Sequence, residues 1–148
     1  MSIDRSRIRV KAMLIAVNGD ATAHAVSLNA PTEENPDGYH RLIGGSVELG
    51  ETHRTAIARE VDEELSAKIH ELRHLGTIEN IFRIDGEVGH EIVFVYAGRL
   101  DPEPAPEGAT LTESDGSIVP VVWRPLDDDD AEELPLYPAG VMELLGAG

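Results

Sequence analysis

RLIGGSVELGETHRTAIAREVDEEL, residues Arg41 to Leu65, sets a problem of electrostatics. Behind the paired glycines Gly44 and Gly45 come Glu48 and Glu51, and then Glu60, Asp62, Glu63 and Glu64 in close succession. Like charges four apart on a helix repel by a few tenths of a kcal/mol. A helix serving only as a stable surface element would have lysines mixed in. From Glu51 to about Ser66 the apolar residues Ile57, Val61 and Leu65 recur every fourth position, which predicts an amphipathic helix. At about 100° per residue, Ile57, Val61, Leu65 and Ala58 form the buried stripe, and Glu60, Glu63 and Glu64 share one arc directly beside it. Carboxylates crowded at the edge of a buried face need positive charge between them. Oxygen ligands suit Mg²⁺ or Mn²⁺, and magnesium commonly takes a few carboxylates together with substrate phosphates. A solvated acidic helix face is the alternative reading of the cluster taken alone.

Composition sharpens the choice. The chain has 148 residues, 28 acidic against 12 basic, and a formal net charge of -16. Such a surface repels nucleic-acid polymers and anionic membranes, so an anionic substrate needs a cation to bring it in. No cysteine is present, which excludes disulfides, thiolate zinc sites and thiol nucleophiles and fits a cytoplasmic protein. The N-terminus has basic residues before an apolar run, but Ala12 to Val17 is too short for a signal peptide and reads as a strand. No stretch approaches the ~18 apolar residues of a membrane span.

Outward from the quoted stretch, alternation predicts a strand over Arg7–Val17, returning through Asn18-Gly19-Asp20 into a strand over Ala21–Leu28. A polar loop follows to Gly38, then a short strand over Tyr39–Ile43 that Gly44-Gly45 breaks. After the helix, strands are expected over Ala67–Leu72, Gly76–Ile84 and His90–Leu100, with a turn at Asp85-Gly86. Asp101–Gly116 is long, acidic and rich in proline and glycine, and reads either as a solvated loop or as a specificity loop over a site. Ser117–Trp123 reads as a strand and Pro138–Leu145 as a closing helix. Asp127–Asp130 reads as solvated loop, lacking the alternating ligands of a calcium loop. No linker divides the chain, so residues 1–148 are expected to form one layered α/β (α+β) domain.

The spacing around the glutamates is specific. Gly45 is followed after five residues by Glu51 and after seven more by Arg59-Glu60-Val61-Asp62-Glu63-Glu64. This resembles the Nudix box, Gly-x5-Glu-x7-Arg-Glu-aliphatic-x-Glu-Glu-x-Gly-aliphatic, here running from Gly45 to Ala67 over about a sixth of the chain. Two positions depart from it: Ser66 stands where the family has its helix-ending glycine, and Ile43 where a proline usually precedes the paired glycines. Neither departure removes a carboxylate. The strand from His90 and the tail after Trp123 are similar to the family's later elements, less specifically.

The resemblance implies an α/β/α sandwich with a central mixed sheet. It also implies an enzyme that hydrolyses a nucleoside diphosphate linked to another moiety, water attacking phosphorus to release a nucleoside monophosphate and a phosphorylated group. By motif position Glu60 and Glu64 look like the main ligands of Mg²⁺ or Mn²⁺, with Glu63 a third ligand or the base. A backbone carbonyl of Gly44 or Gly45 completes the sphere, and Glu51 and Arg59 form the pair that orients loop and helix. Many members use a further glutamate outside the box; Glu91 is the candidate here and Glu48 its rival, an ordinary strand-end charge being the other reading of Glu91. Tyr39, Phe82, Arg41 and His90 are assigned to substrate; Tyr39, Phe82 and Tyr96 are the aromatics expected near the box, Trp123 is a further aromatic available for stacking, and for His90 and His40 a hydrogen-bonded structural role is the other reading. The expected partner is a small-molecule nucleotide or other diphosphate; a homodimer is left open. A non-catalytic Nudix-like nucleotide-binding module is the competing reading, weakened because such modules usually lose box carboxylates and this chain retains them all.

Overall fold

The computed structural model describes residues 7–127 and 134–147. Its strands are β1 (Arg9–Val17), β2 (Ala23–Asn29), β3 (Tyr39–Ser46), β4 (Lys68–Ile84), β5 (Glu87–Asp101), β6 (Ala109–Thr112), β7 (Ile118–Pro125) and β8 (Leu136–Tyr137). Two helices complete it, α1 (His53–Leu65) and α2 (Met142–Ala147). The sheet order is β4-β5-β1-β3-β2-β7-β6, with β8 beside β3. β1 runs parallel to β5 and β3 to β8, while the other pairs are antiparallel, so the sheet is mixed.

From Ala12 to Val17 β1 is apolar without interruption because both of its faces are covered there. Ala12, Leu14 and Ala16 join the α1 side with Ile43, Ala56, Ile57 and Val61. Met13 and Ile15 join the other side with Val26, Val93 and Val95, and there Val141, Met142 and Leu144 of the α2 segment pack on them. This is the layered α+β arrangement expected, with one substantial helix and one short one. Among the described residues no helix is long and apolar enough to cross a membrane.

Several elements differ from expectation. Gly44-Gly45 does not break β3. The strand runs on to Ser46, its first half paired with β2 and its second half with β1 through Met13↔Gly44 and Ala12↔Gly45. The glycines are needed because the backbone is crowded there: a side chain at Gly44 would collide with the Ala12 carbonyl, and one at Gly45 with the Glu60 carboxylate. The two strands expected between Ala67 and Ile84 are one, β4, kept in pairing with β5 by irregularities between His70 and Arg73 and between His74 and Gly76. Asp85-Gly86 closes that hairpin with both residues at positive φ, as its sequence predicts. Asp101–Gly116 is not all loop: Ala109–Thr112 pairs with β7, and Leu111 is buried. Pro138 precedes α2, which begins only at Met142. Asp128, Asp129 and Asp130 of the aspartate run lie outside the described residues.

The helix starts later than expected, with Thr52 as its N-cap, the hydroxyl accepting from the Thr55 N–H at 3.1 Å. Glu51 therefore stands before the helix rather than in its first turn. The buried face is Ala56, Ile57, Val61 and Glu64, while Ala58 is exposed. The stripe is rotated toward the glutamates, so Glu64 lies within it and not beside it.

Ser66 ends α1 in the left-handed region, φ 52 and ψ 43, with its N–H bonded to the Asp62 carbonyl. The chain thus makes the turn that the family's glycine makes, at a conformational cost of about 1 kcal/mol for a residue with a Cβ. Ser66→Gly is expected to raise stability by about 1 kcal/mol in urea or thermal unfolding. Unchanged or lowered stability would contradict this account of the turn.

Candidate active site

β3, the loop after it and α1 meet at the Arg59 guanidinium. Its Nε donates to Glu51 Oε2 at 2.7 Å, and Nη2 to Glu51 Oε1 at 2.9 Å and to the Ser46 carbonyl at 3.0 Å. Nη1 donates to Glu60 Oε1 at 3.1 Å and to Glu63 Oε2 at 3.2 Å. All five N–H groups of the arginine are thereby used. Glu51 also accepts from the Glu48 N–H at 3.1 Å, and the arginine holds its carboxyl down to about 2. Glu48 itself is exposed and only 3.9 Å from Arg59.

The three box glutamates differ in environment. Glu60 lies over Gly45, largely sheltered, and burial raises its pKa despite Arg59. Glu63 is exposed and is held by Arg59. Glu64 is buried, and its Oε1 has no hydrogen-bond partner. Burial pushes its carboxyl up to about 8, with the charges of Glu113 and then Glu60 adding to the effect. Among the described residues no three acidic or histidine groups already converge as tightly as a closed metal site does. Arg59 draws Glu60 and Glu63 toward itself, which accounts for the open arrangement. The donor set nevertheless fits a hard divalent cation: it is all oxygen, one buried carboxylate oxygen lacks a partner, and the missing side chain at Gly45 leaves backbone accessible beside Glu60.

These groups line a cleft of about 810 Å³ that also includes Lys11, Tyr39, Arg41, Gly44, Gly45, Ser46, Leu111 and Glu113. Arg41 donates to Glu91 at 3.0 Å, and Asn80 donates to the same carboxylate at 3.3 Å, so Glu91 is buried and partnered. Tyr39, Arg41 and Phe82 line a narrow recess continuous with the cleft through Tyr39 and Arg41, together with Asn35, Asn80 and Tyr137. His90 is not brought there. It pairs with Glu79 at 3.0 Å and lies outside the cleft lining. His40 is buried against Arg124, Trp123 donates to the Ala105 carbonyl, and Tyr96 is buried beside His53; each has a local structural partner.

Sequence reasoning did not single out Lys11, Asn80 or Glu113. Glu113 follows β6, and once the short β6 strand goes unread nothing places that residue opposite α1. Asn80 was legible only through its register opposite Glu91.

The raised Glu64 pKa has a definite consequence for the protein in chelator. Below about pH 4.5 the carboxyl is protonated in both folded and unfolded chains. As pH rises toward about 8 the unfolded chain releases its proton and the folded one keeps it, so this group's contribution to stability falls across that window. The fall is at most about 1.4 kcal/mol per pH unit. Glu64→Gln is expected to match the parent near pH 4.5 and to become the more stable of the two by pH 8, measured by denaturant unfolding. A difference independent of pH would contradict the buried-carboxyl assignment.

The family model for the NUDIX domain matches residues 8–144. A Mycobacterium tuberculosis protein with the provisional name mutator protein MutT4 is 34% identical over 110 residues, which is 74% of this chain. The match covers 42% of that relative, so the chain spans well under half of its length. The crystal structure of MutT NUDIX hydrolase from Burkholderia pseudomallei is similar with a TM-score of 0.67 at 23% identity, covering 97% of this chain and 100% of that one. A NUDIX hydrolase from Nitrosomonas europaea gives 0.63 at 17% identity, covering 95% of this chain and 87% of that one. At these identities the structural likeness speaks for the fold. The family model covers nearly the whole chain and includes the glutamates gathered around Arg59: the chain belongs to the Nudix family.

Proposed function

We propose that this protein, acting as one domain over residues 1–148 in the cytoplasm, is a divalent-cation-dependent hydrolase of small-molecule nucleoside diphosphate derivatives. The observation that carries the reading is Glu64: a buried carboxyl with an unpartnered oxygen, next to Glu60 and at the wall of a cleft large enough for a nucleotide. A buried carboxyl with an unpartnered oxygen is costly to the fold and marks a candidate ligand site. Glu60 and Glu64 would hold Mg²⁺ or Mn²⁺, with Glu63 and the backbone of Gly44 or Gly45 as further donors. When bound, the cation supplies neutralisation of the diphosphate and acidification of the attacking water.

The chain's own residues divide the remaining work. Arg59 and Glu51 fix the loop and helix so that Glu60 stays over Gly45. Glu63 is the better candidate for general base, because it is exposed at the cleft, whereas Glu91 is committed to Arg41 and Asn80. A positioned base contributes roughly 10²–10⁴-fold. Tyr39, Phe82 and Arg41 line the recess where the rest of the substrate would rest. The water oxygen bonds to phosphorus, the phosphorus–bridging-oxygen bond breaks, and a nucleoside monophosphate and a phosphorylated group leave.

The test is a panel of nucleoside diphosphate derivatives with Mg²⁺ or Mn²⁺ in heavy-oxygen water. The expected result is turnover abolished by chelator, with one heavy oxygen in the product phosphate that water attacked. Undiminished turnover in excess chelator would overturn the reading.

A further inference from the structure

Glu91 is committed to two residues that line the cleft or its recess, and the proposed hydrolysis leaves that commitment without a purpose. Its carboxylate is buried. Arg41 Nη2 donates to Glu91 Oε2 at 3.0 Å and to Oε1 at 3.3 Å. Asn80, itself buried, donates from Nδ2 to Glu91 Oε1 at 3.3 Å. Asn80 is the register partner of Glu91 on β4, and Arg9 is its register partner on β1, so the carboxylate is flanked from both neighbouring strands. The Asn80 amide fixes the carboxylate, and the carboxylate fixes the guanidinium.

Stability alone gives little reason for this chain of contacts. Val93 and Val95 continue the same face of β5 as buried apolar core. An apolar side chain in place of Glu91 would extend that core, and exchanging a buried ion pair for packed apolar groups is often neutral or stabilising. The location of Arg41 gives a better reason. Its side chain is 17% exposed, and it lines both the cleft and the recess. Burial and then Glu113 raise the Glu64 pKa while Arg41 opposes them, so the guanidinium lies within electrostatic reach of the innermost box carboxylate. Arg41 therefore stands where a diphosphate derivative passes from the carboxylates into the recess. A guanidinium matches phosphate oxygens in one plane, which requires its long side chain to be held in one orientation.

We propose that Glu91, braced by Asn80, is a positioning residue that holds Arg41 at the junction of cleft and recess to receive a phosphoryl group of the substrate. This rests on the hydrolase reading and deepens it: Glu91 acts through Arg41 and takes no proton from water. The ligand class is a nucleoside diphosphate whose phosphoryl oxygens accept from the guanidinium.

The probe is α,β-methylene-ADP, a nucleoside diphosphate with a non-hydrolysable bridge. It is titrated calorimetrically in saturating Mg²⁺ into parent and variants whose folding is verified by denaturant unfolding. Glu91→Gln keeps the size and removes the charge, and is expected to weaken probe binding about tenfold. Arg41→Met is expected to weaken it at least as much, and the double variant no more than Arg41→Met alone, because Glu91 then has nothing to position. Glu91→Asp keeps the ion pair but draws the guanidinium back by one methylene. It is expected to weaken probe binding about threefold or more, which a purely structural ion pair would not do. In turnover, Glu91→Gln is expected to raise KM and to lower kcat by far less than the roughly 10²–10⁴-fold that loss of a base brings. Probe affinity unchanged in both Glu91 variants, or losses that add in the double variant, would overturn the positioning role even if the parent hydrolyses diphosphates. A kcat loss of about 10²-fold or more at unchanged KM would overturn it too, by making Glu91 the base. Non-additive losses of probe binding in a protein that turns over no member of the nucleotide panel would support the positioning role and count against the hydrolase reading alone.

Discussion

Arg59 is the constraint on which the site depends. Its guanidinium has five N–H donors in a fixed plane, and each is committed: two to Glu51, one to the Ser46 carbonyl, one to Glu60 and one to Glu63. These acceptors belong to the loop before α1, the end of β3 and α1 itself. One side chain therefore fixes where the helix sits on the sheet and how the glutamates are aimed. A lysine could neutralise the same charge but could not satisfy four groups in one plane. The surrounding carboxylates raise the pKa of Arg59 in turn, so it stays charged at any working pH.

That arrangement has costs, visible in Glu64. Arg59 serves the outer carboxylates and does not reach the innermost one, whose pKa is raised by burial and by Glu113 and Glu60. Removing such a group would relieve the metal-free fold, so stability does not account for its presence, whereas the proposed cation binding would. Gly45 belongs to the same argument, because any side chain there would displace Glu60. Ser66 does not: it accepts a left-handed backbone at a position where glycine would serve better, and nothing in the structure explains the choice.

Much of this was legible in the sequence because the box has fixed spacing. Seven residues between Glu51 and Arg59 bring the two together across the helix start, and the four-residue recurrence of Ile57 and Val61 marks the packed face. What was missed depended on tertiary context. Gly44-Gly45 reads as a break, whereas the glycines let β3 continue under Glu60. Arg73 to Leu75 read as a gap between two strands, whereas bulges carry β4 through. β6 is four residues long with only Leu111 buried, too short to announce itself within an acidic segment. Glu64 looked like the edge of an apolar stripe, because a helical projection counts apolar residues and cannot foresee a carboxylate placed among them. Lys11 drew no notice on β1, because only tertiary pairing, with Ser46 as its register partner, shows that it lines the cleft.

The central claim is that Glu60 and its neighbours are arranged for a cation at the expense of the metal-free fold. Thermal unfolding of the parent and of Glu60→Gln, each in chelator and in saturating Mg²⁺, tests it most directly. The account predicts a variant at least as stable as the parent in chelator, since a like-charge neighbour has been removed, and a Mg²⁺-induced rise in Tm that is large for the parent and largely absent for the variant. A variant that is less stable in chelator yet gains as much from Mg²⁺ as the parent would show that Glu60 is a structural residue, and would contradict the claim.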